Sequence, residues 1–337
     1  MCRQRSSKKR LLIIVGVNCV VCAMVIGLGE LVLRIQGNEP CCRTFPGEPY
    51  AQHSAPWAAY DSLLGWTVSR TLSAEYGPSF AGQVNPQGFR DKKDYNRIDP
   101  KSGKTRVMIL GDSFVFGAGL PYSKTFPQVL QAALGNQFEV YNLGVPGFGV
   151  DQMYLTYLRY RDVIAPHVVI LAFIDEDAER VLQSFRAVEG LTKPTLAIKN
   201  DSLVVSSSVS DNEVRLARLL QKSILLSWML REVYLMLEAK EIVERVFQEV
   251  ATDANRRGGR LIVLRIPTKD DDQLLVKARR AVNGFPDILS GARIPYLDPL
   301  ADFTANPNWR DELFLSDGHL SVLGNKRLAT YLVERVF

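Results

Sequence analysis

The feature that most constrains the fold is an alternation of short apolar runs with helix-like segments after residue 104. Residues 106–110 form an apolar run that Gly111 stops, the pattern of a strand buried on both faces. Further strands are predicted at 139–143 and 167–173, with helices at 125–134 and 151–161, the second capped by Asp151. Strands that alternate with helices form parallel sheets with right-handed crossovers. The sequence therefore predicts an α/β fold.

An insertion at about residues 188–255 interrupts this alternation. It contains a predicted hairpin at 196–205 and a predicted helical segment with a break at 213–252. Two interpretations of the helical segment stay open, an amphipathic helix packed on the core or an interfacial helix lying on a membrane. Beyond the insertion, strands are predicted at 260–266 and 294–297, and helices near 271–282 and from Ser321 onward.

The N-terminal region predicts a membrane anchor. Residues 11–29 carry no charged side chain, and about 20 apolar residues span a bilayer core. The basic residues just before this stretch keep the N-terminus in the cytoplasm by the positive-inside rule. We expect a single-pass protein of the inner (cytoplasmic) membrane, with the rest of the chain in the periplasm or outside the cell. The alternative is a cleaved signal peptide, whose apolar core has about 7–15 residues.

The chain thus divides into four predicted parts. A basic cytoplasmic tail at 1–10 is followed by a transmembrane signal-anchor helix at 11–33. Residues 34–104 are predicted to be a linker and an irregular lead-in, because Pro and Gly are frequent and no period is evident. The main domain is predicted at 105–337.

The charge distribution offers no support for a nucleic-acid partner. The chain has 41 Lys and Arg against 36 Asp and Glu, a net charge of +5. Five of the basic residues lie in the first ten positions, so 36 basic and 36 acidic residues remain for the rest. Nucleic-acid binders carry a basic face, which a balanced body does not indicate.

Cysteine and histidine usage restricts the chemistry of the main domain. All five cysteines lie at or before Cys42, so a disulfide, a Cys-ligated metal or a Cys nucleophile is excluded there. The chain has three histidines, too few for a His-rich metal site. We therefore expect no metal and no cofactor.

The first predicted strand ends in Gly111-Asp112-Ser113, which places a serine on a tight turn before a helix. A serine there attacks a carbonyl group if a base takes its proton. An α/β-hydrolase elbow needs glycine at the position of Val115, and a phosphate-binding P-loop needs glycine at the position of Ile98. Both alternatives are therefore excluded.

Two further loops carry candidate residues. After the second strand, Gly144 begins a glycine-rich loop, and its N–H is a candidate oxyanion donor beside that of Ser113. The alternative is that these glycines only shape the loop. His319, just before the last helix, is the candidate base, since His53 lies in the linker and His167 opens a strand.

These motifs resemble those of the SGNH, or GDSL, hydrolases, in particular the membrane-anchored bacterial members. Gly111-Asp112-Ser113 is similar to the nucleophile block, Asn142-Leu143-Gly144 to the glycine block, and Asp317-Gly318-His319 to the final block. Residues 85–90, Asn-Pro-Gln-Gly-Phe-Arg, are similar to the lead-in of the anchored members. The resemblance implies a flavodoxin-like three-layer α/β/α sandwich with a parallel sheet.

The resemblance also implies a role for each matching residue. Ser113 would be the nucleophile, His319 the general base, and Asp317 the group that orients His319. The N–H groups of Ser113 and Gly144 would hold the oxyanion.

The sequence departs from the family pattern at two places. The third block of the family is Gly-x-Asn-Asp, and here Glu176 takes the Asn position and Asp177 the Asp position. An ionised carboxylate accepts hydrogen bonds and cannot donate one to an oxyanion. The final block is usually Asp-x-x-His, whereas Asp317 lies two residues before His319 and Ser316 takes the usual position.

The function expected from this resemblance is that of a membrane-anchored serine esterase. It would act on acyl esters, with O-acylated glycans of the cell envelope or another ester as substrate, through a Ser113 acyl-enzyme. Two alternatives stay open. One is an O-acyltransferase of the same fold that modifies an extracytoplasmic polysaccharide, and the other is a non-catalytic SGNH-like scaffold.

Overall fold

The computed structural model describes residues 2–35, 57–70, 83–99, 102–183, 185–186, 191–206, 223–225, 236–271 and 289–337. They belong to two compact units. Unit 1 lies within Met1–Pro49 and Val209–Tyr234, and unit 2 within Tyr50–Ser208 and Leu235–Phe337. The predicted helix near 271–282, most of the linker at 36–56 and most of the helical segment at 213–235 lie outside the described residues.

Unit 1 contains helix α1, Cys2–Ile35. Its part from Gly16 to Ile35 has a mean hydropathy of 2.1 and is long and apolar enough to cross a membrane. Glu30 carries the acidic group of this stretch, and its carboxylate accepts hydrogen bonds from the N–H groups of Ile224 and Leu225 at 3.0 and 2.8 Å. The hydroxyl of Ser223 donates to the same carboxylate at 2.9 Å. Residues 223–225 of the insertion are thus fastened to α1.

Unit 2 is built on a sheet of five parallel strands, β3 Thr105–Gly111, β4 Phe138–Gly144, β5 Val168–Phe173, β10 Arg260–Arg265 and β11 Tyr296–Leu297. Their order across the sheet is β11-β10-β5-β3-β4. In chain order this is the 2-1-3-4-5 arrangement of flavodoxin-like folds, and helices cover both faces. The predicted three-layer α/β/α sandwich is confirmed.

Two hydrophobic cores lie on opposite faces of this sheet because successive side chains of a strand point to opposite sides. On β3, Met108 and Leu110 belong to one core, and Val107 and Ile109 to the other. Both cores are covered, so β3 and β5 are apolar on both faces. The helices of the first core are α4 Val150–Ile164 and α6 Met236–Arg256, and those of the second are α3 Phe126–Leu134 and α9 Val322–Val336.

Short helices follow several strands. Further α-helices among the described residues are α2 Ser113–Phe116, α5 Asp175–Glu179, α7 Leu300–Thr304 and α8 Trp309–Leu313. Single 3-10 turns occupy Tyr95–Arg97, Tyr122–Lys124 and Arg180–Leu182. Ser321 caps α9 by accepting a hydrogen bond from the N–H of Gly324, at the position where the sequence predicts that the last helix begins.

The predicted cap of α4 is wrong. Gly149 is the capping residue, and its N–H donates to Oε1 of Gln152 at 3.1 Å. Asp151 is instead fully buried and forms an ion pair with the ammonium of Lys193, which belongs to the insertion. The carboxylate turns inward because a buried cation is available there, a pairing that local sequence does not reveal.

The other strands form two-stranded antiparallel units. The insertion contains the predicted hairpin, with β8 Thr195–Lys199 paired to β9 Ser202–Ser206, and the short pair β6 Phe185–Arg186 and β7 Leu191–Thr192. In the lead-in, β1 Ala58–Asp61 pairs with β2 Gly65–Val68. The sequence predicts only irregular structure in the lead-in, so the structure shows a hairpin that was not predicted.

Candidate active site

The turn between β3 and α2 exposes Ser113 at the carboxyl edge of the sheet. Gly111 is required for this turn, because a Cβ at that position would lie 2.1 Å from Cγ2 of Val115. Asp112 caps α2, and its Oδ1 accepts a hydrogen bond from the N–H of Phe114 at 2.9 Å. Ser113 is therefore held as the first residue of the helix.

The structure brings Ser113, His319 and Asp317 together. Oγ of Ser113 lies 2.9 Å from Nε2 of His319, and Nδ1 of His319 lies 3.1 Å from Oδ2 of Asp317. The other carboxylate oxygen of Asp317 accepts a hydrogen bond from the N–H of His319, also at 3.1 Å. A spacing of two residues thus lets Asp317 reach the imidazole, because the loop turns back at Gly318, whose φ is +89°.

Asp317 remains ionised under mildly acid conditions. Partial burial raises the pKa of its carboxyl, but the hydrogen bonds from the backbone N–H and the ring of His319 lower it more. The net pKa of Asp317 lies below its usual value. A carboxylate in this state favours the Nδ1–H tautomer of His319 and leaves Nε2 as the acceptor for the Ser113 proton.

Gly144 has a packing role in this structure. A Cβ at Gly144 would lie 2.4 Å from the backbone N of Phe116, so only glycine fits against the nucleophile turn. Its N–H donates to Oδ1 of Asn142 at 3.0 Å. The predicted oxyanion contact from Gly144 therefore requires Asn142 to release this N–H.

The third block lies at α5. Asp177 is buried, with Oδ2 accepting the N–H of Ile174 at 3.0 Å and Oδ1 paired with Arg180. Burial and the nearby charge of Asp112 raise the pKa of Asp177 well above its usual value. Glu176 keeps contact with solvent, yet the dense surroundings remove part of its water and raise the pKa of its carboxyl. No hydrogen bond joins the described side chains of Glu176 and Ser113 or His319.

Arg180 is a site residue that the sequence does not predict. Its Nη1 lies 3.5 Å from Oδ2 of Asp112, donates to the carbonyl of Phe148 at 3.1 Å, and pairs with Asp177. One guanidinium thus joins the loops that follow β3, β4 and β5. The signal in the sequence is an i,i+3 acid–base pair between Asp177 and Arg180, which also occurs on ordinary helix surfaces.

The lead-in supports the nucleophile turn from the other side. Arg90 is fully buried, and its guanidinium donates to the carbonyl groups of Gly117 and Leu120 at 2.5 and 2.6 Å. Burial lowers the pKa of Arg90 to about 10. The lead-in motif is therefore part of the framework that positions Ser113.

His167 has a structural role. Nδ1 of His167 accepts a hydrogen bond from the N–H of Arg106 at 2.9 Å, so this ring connects two strands. Among the described residues, no group of three or more His, Cys, Asp and Glu side chains is arranged to hold a metal ion. Around Ser113 the structure shows a hydrogen-bonded chain from Oγ of Ser113 through His319 to Asp317.

A scan against protein-family models found no match, and a search of curated proteins found none either. Among solved structures, the chain is similar to a member of the lipolytic protein G-D-S-L family from Veillonella parvula DSM 2008. The identity is 15%, the match covers 69% of this chain and 98% of that chain, and the TM-score is 0.43.

Two further structures are similar to the same extent. The acetyl xylan esterase AlAXEase has 15% identity, coverage of 69% of this chain and 100% of its own, and a TM-score of 0.44. The lipase/acylhydrolase from Enterococcus faecalis has 15% identity, coverage of 69% and 95%, and a TM-score of 0.42. Likeness at this level carries no argument about the chemistry of this chain, whose fold is defined by its own strand order.

Proposed function

We propose that this protein is a membrane-anchored serine esterase that cleaves acyl esters through a covalent Ser113 intermediate. The observation that supports it is the hydrogen-bonded chain from Oγ of Ser113 to Nε2 of His319 at 2.9 Å and from Nδ1 to Asp317 at 3.1 Å. A nucleophile, a base within reach of it and a third group that orients the base are the requirements of acyl transfer by serine.

The reaction begins when Oγ of Ser113 attacks the carbonyl carbon of the ester and Nε2 of His319 takes the hydroxyl proton. The C–O bond to the leaving alcohol then breaks, and the imidazolium returns its proton to the alcohol oxygen. Water attacks the acyl-enzyme with His319 again as base, which releases the carboxylic acid and restores Ser113. Asp317 stabilises the imidazolium in both steps.

The oxyanion of the tetrahedral intermediate needs donors near Ser113. The backbone N–H of Ser113 is one candidate, and that of Gly144 is a second once Asn142 releases it. Glu176 in its ionised form opposes the negative charge, but its protonated form carries an O–H that donates a hydrogen bond. The raised pKa of this carboxyl favours the protonated form.

Helix α1 supports the proposed location and, through it, the proposed substrate class. Its apolar part, Gly16–Ile35, is long enough for a single membrane span, and the basic residues before it favour a cytoplasmic N-terminus. The main domain would then lie in the periplasm or outside the cell, where esters of acylated envelope glycans are accessible. The substrate is thus proposed to be an O-acylated carbohydrate.

The test uses the full chain in lipid nanodiscs with a short-chain aryl ester and a serine-directed fluorophosphonate. We expect turnover and labelling by the wild type, and a loss of about 10³-fold or more in Ser113→Ala and His319→Ala. Ser102→Ala, a serine outside the site, is the matched control. If the wild type is neither active nor labelled, the proposal is wrong and a non-catalytic scaffold is favoured. Product analysis with a glycan acceptor separates hydrolysis from O-acyl transfer.

A further inference from the structure

The hydroxyl of Ser113 has two acceptors within reach and one proton to donate. Nε2 of His319 lies at 2.9 Å, and Oδ2 of Asp112 lies at 3.3 Å. A hydroxyl that donates to His319 can lose its proton to the ring, which activates the serine. A hydroxyl that donates to Asp112 instead is bound to a carboxylate that is not part of the Ser113–His319–Asp317 chain. Asp112 competes effectively with His319 for this hydrogen bond, because its carboxylate is completely buried and water does not weaken it as an acceptor.

Arg180 is the cation that contacts this competing acceptor. Its Nη1 lies 3.5 Å from the same Oδ2 atom of Asp112. The contacts with Phe148 and Asp177 hold the guanidinium in place, and only 16% of the side chain is exposed. A fixed positive charge beside a carboxylate oxygen attracts its electron density, so the oxygen becomes a weaker acceptor for a neighbouring hydroxyl.

We propose that Arg180 is a positioning residue that directs the Ser113 proton to His319 by neutralising Asp112. This inference rests on the proposed esterase function and adds to it a residue that acts through Asp112. Arg180 also connects the loops that follow three strands. The alternative to be tested is that Arg180 only stabilises these loops and has no effect on the Ser113 proton.

The charged groups near His319 determine how the loss of Arg180 affects the protonation of the His319 ring. Asp317 faces the ring from the same loop, and Ser113 faces it from α2 with Asp112 behind. On the segment after β5, Arg180 lies beside Asp112 and Asp177, and the acidic residues Asp175, Glu176 and Glu179 lie on the same segment. Arg180 is the cation that this segment brings to Asp112. Without it, the negative charge of Asp112 beside Ser113 is not compensated, which favours the imidazolium form of His319.

The test compares Arg180→Met, Arg180→Lys and the double variant Arg180→Met/Asp112→Asn with the wild type, all as full chains in nanodiscs. The readouts are the fluorophosphonate labelling rate of Ser113 and the pH profile of kcat/KM for an aryl ester. For Arg180→Met we expect labelling about 10²-fold slower and an acid limb about one pH unit higher, because the positive charge beside Asp112 is lost. Arg256→Met, an exposed arginine on α6, is the matched control.

The other two variants separate charge from structure. Arg180→Lys keeps the charge and should keep the position of the acid limb. The double variant removes the carboxylate that Arg180 neutralises, so it should recover at least about 10-fold of the labelling rate. An acid limb that does not move in Arg180→Met, or a double variant as slow as Arg180→Met at an unchanged melting temperature, overturns the inference.

Two further outcomes keep the test decisive. If Arg180→Met does not fold, Asp112→Asn alone decides, because it should label at least as fast as the wild type and have a lower acid limb. A loss of more than about 10-fold in that variant would contradict the inference. A wild type that is not labelled removes the proposed function, whereas a labelled wild type with an unchanged Arg180→Met profile removes this inference alone.

Discussion

Nη1 of Arg90 lies 2.5 Å from the carbonyl oxygen of Gly117, just after the helix that begins with Ser113. Nη2 of the same side chain donates to the carbonyl of Leu120 at 2.6 Å, and the guanidinium lies over the ring of Phe116. The lead-in thus donates hydrogen bonds to carbonyl groups of the loop that follows the helix of Ser113. A motif remote from Ser113 in sequence therefore contributes to the position of Ser113.

Replacing Arg90 by Met should destabilise unit 2 and lower the rate of the proposed esterase reaction. The variant removes the guanidinium that donates to the carbonyls of Gly117 and Leu120, and Gly117 keeps only the N–H of Leu120 at 3.4 Å among the backbone donors described. This costs about 2–5 kcal/mol of unfolding free energy. Thermal unfolding of the full chain in nanodiscs measures the loss, together with kcat/KM. The control is Arg97→Met, whose side chain is exposed. Equal melting temperatures for the two variants would contradict the role given to Arg90.

Replacing Gly88 by Ala should destabilise the lead-in by more than backbone strain alone. Gly88 has a φ of +83°, and a Cβ there would lie 2.7 Å from Cβ of Thr67 on β2. Gly103 has a similar φ of +69° with open space around it, so Gly103→Ala measures the strain without the clash. We expect about 1 kcal/mol for Gly103→Ala and about 1–3 kcal/mol more for Gly88→Ala. Thermal unfolding of both variants gives the difference, and equal losses would refute the clash.

Replacing Asp317 by Asn should reduce kcat/KM without unfolding the protein. Its side chain is 55% exposed, so we expect a loss of about 10–10³-fold, less than for a buried orienting aspartate. The loss of a negative charge beside His319 disfavours the imidazolium, so the acid limb of the profile should move to lower pH. The measurement is a pH series of kcat/KM, with the exposed Asp311→Asn as control. A limb that moves upward would show that Asp317 does not stabilise the imidazolium.

Replacing Glu176 by Asn should raise kcat/KM most strongly at high pH. Above the raised pKa of Glu176 the wild-type carboxylate repels the oxyanion, whereas the Asn amide donates to it. Below that pKa the wild-type carboxyl is neutral and donates its own O–H, so the advantage of the variant should shrink as pH falls. We expect a ratio of variant to wild type of about 10 at pH 8.

The ratio at each pH is the quantity to measure for Glu176, because titration of His319 largely cancels in it. Glu334→Gln, an exposed glutamate on α9, is the control, with an expected ratio near one at every pH. If Glu176→Asn falls to background activity instead, Glu176 has a role of its own and does not simply take the place of an amide donor.

The apolar runs determine the sheet strands because burial on both faces demands continuous hydrophobic residues. The predicted strands at 106–110, 139–143 and 167–173 correspond to β3, β4 and β5. The hairpin of the insertion and the helix after Ser321 were likewise predictable, since turn residues and capping side chains act locally. The hairpin of the lead-in was not, because its short strands lack a clear alternation.

By itself, the sequence determined the α/β class and the loops that carry Ser113, Asp317 and His319, because these depend on local periodicity and on residue types. Only the tertiary structure decided which groups meet across those loops. It brought His319 to Ser113 and Arg180 to Asp112, buried Asp151 against Lys193, and engaged the N–H of Gly144 with Asn142. The first three pairings join residues remote in sequence, and even the short Asn142–Gly144 contact depends on how the strand end packs against α2. Such contacts arise from strand order and packing, which no local pattern encodes.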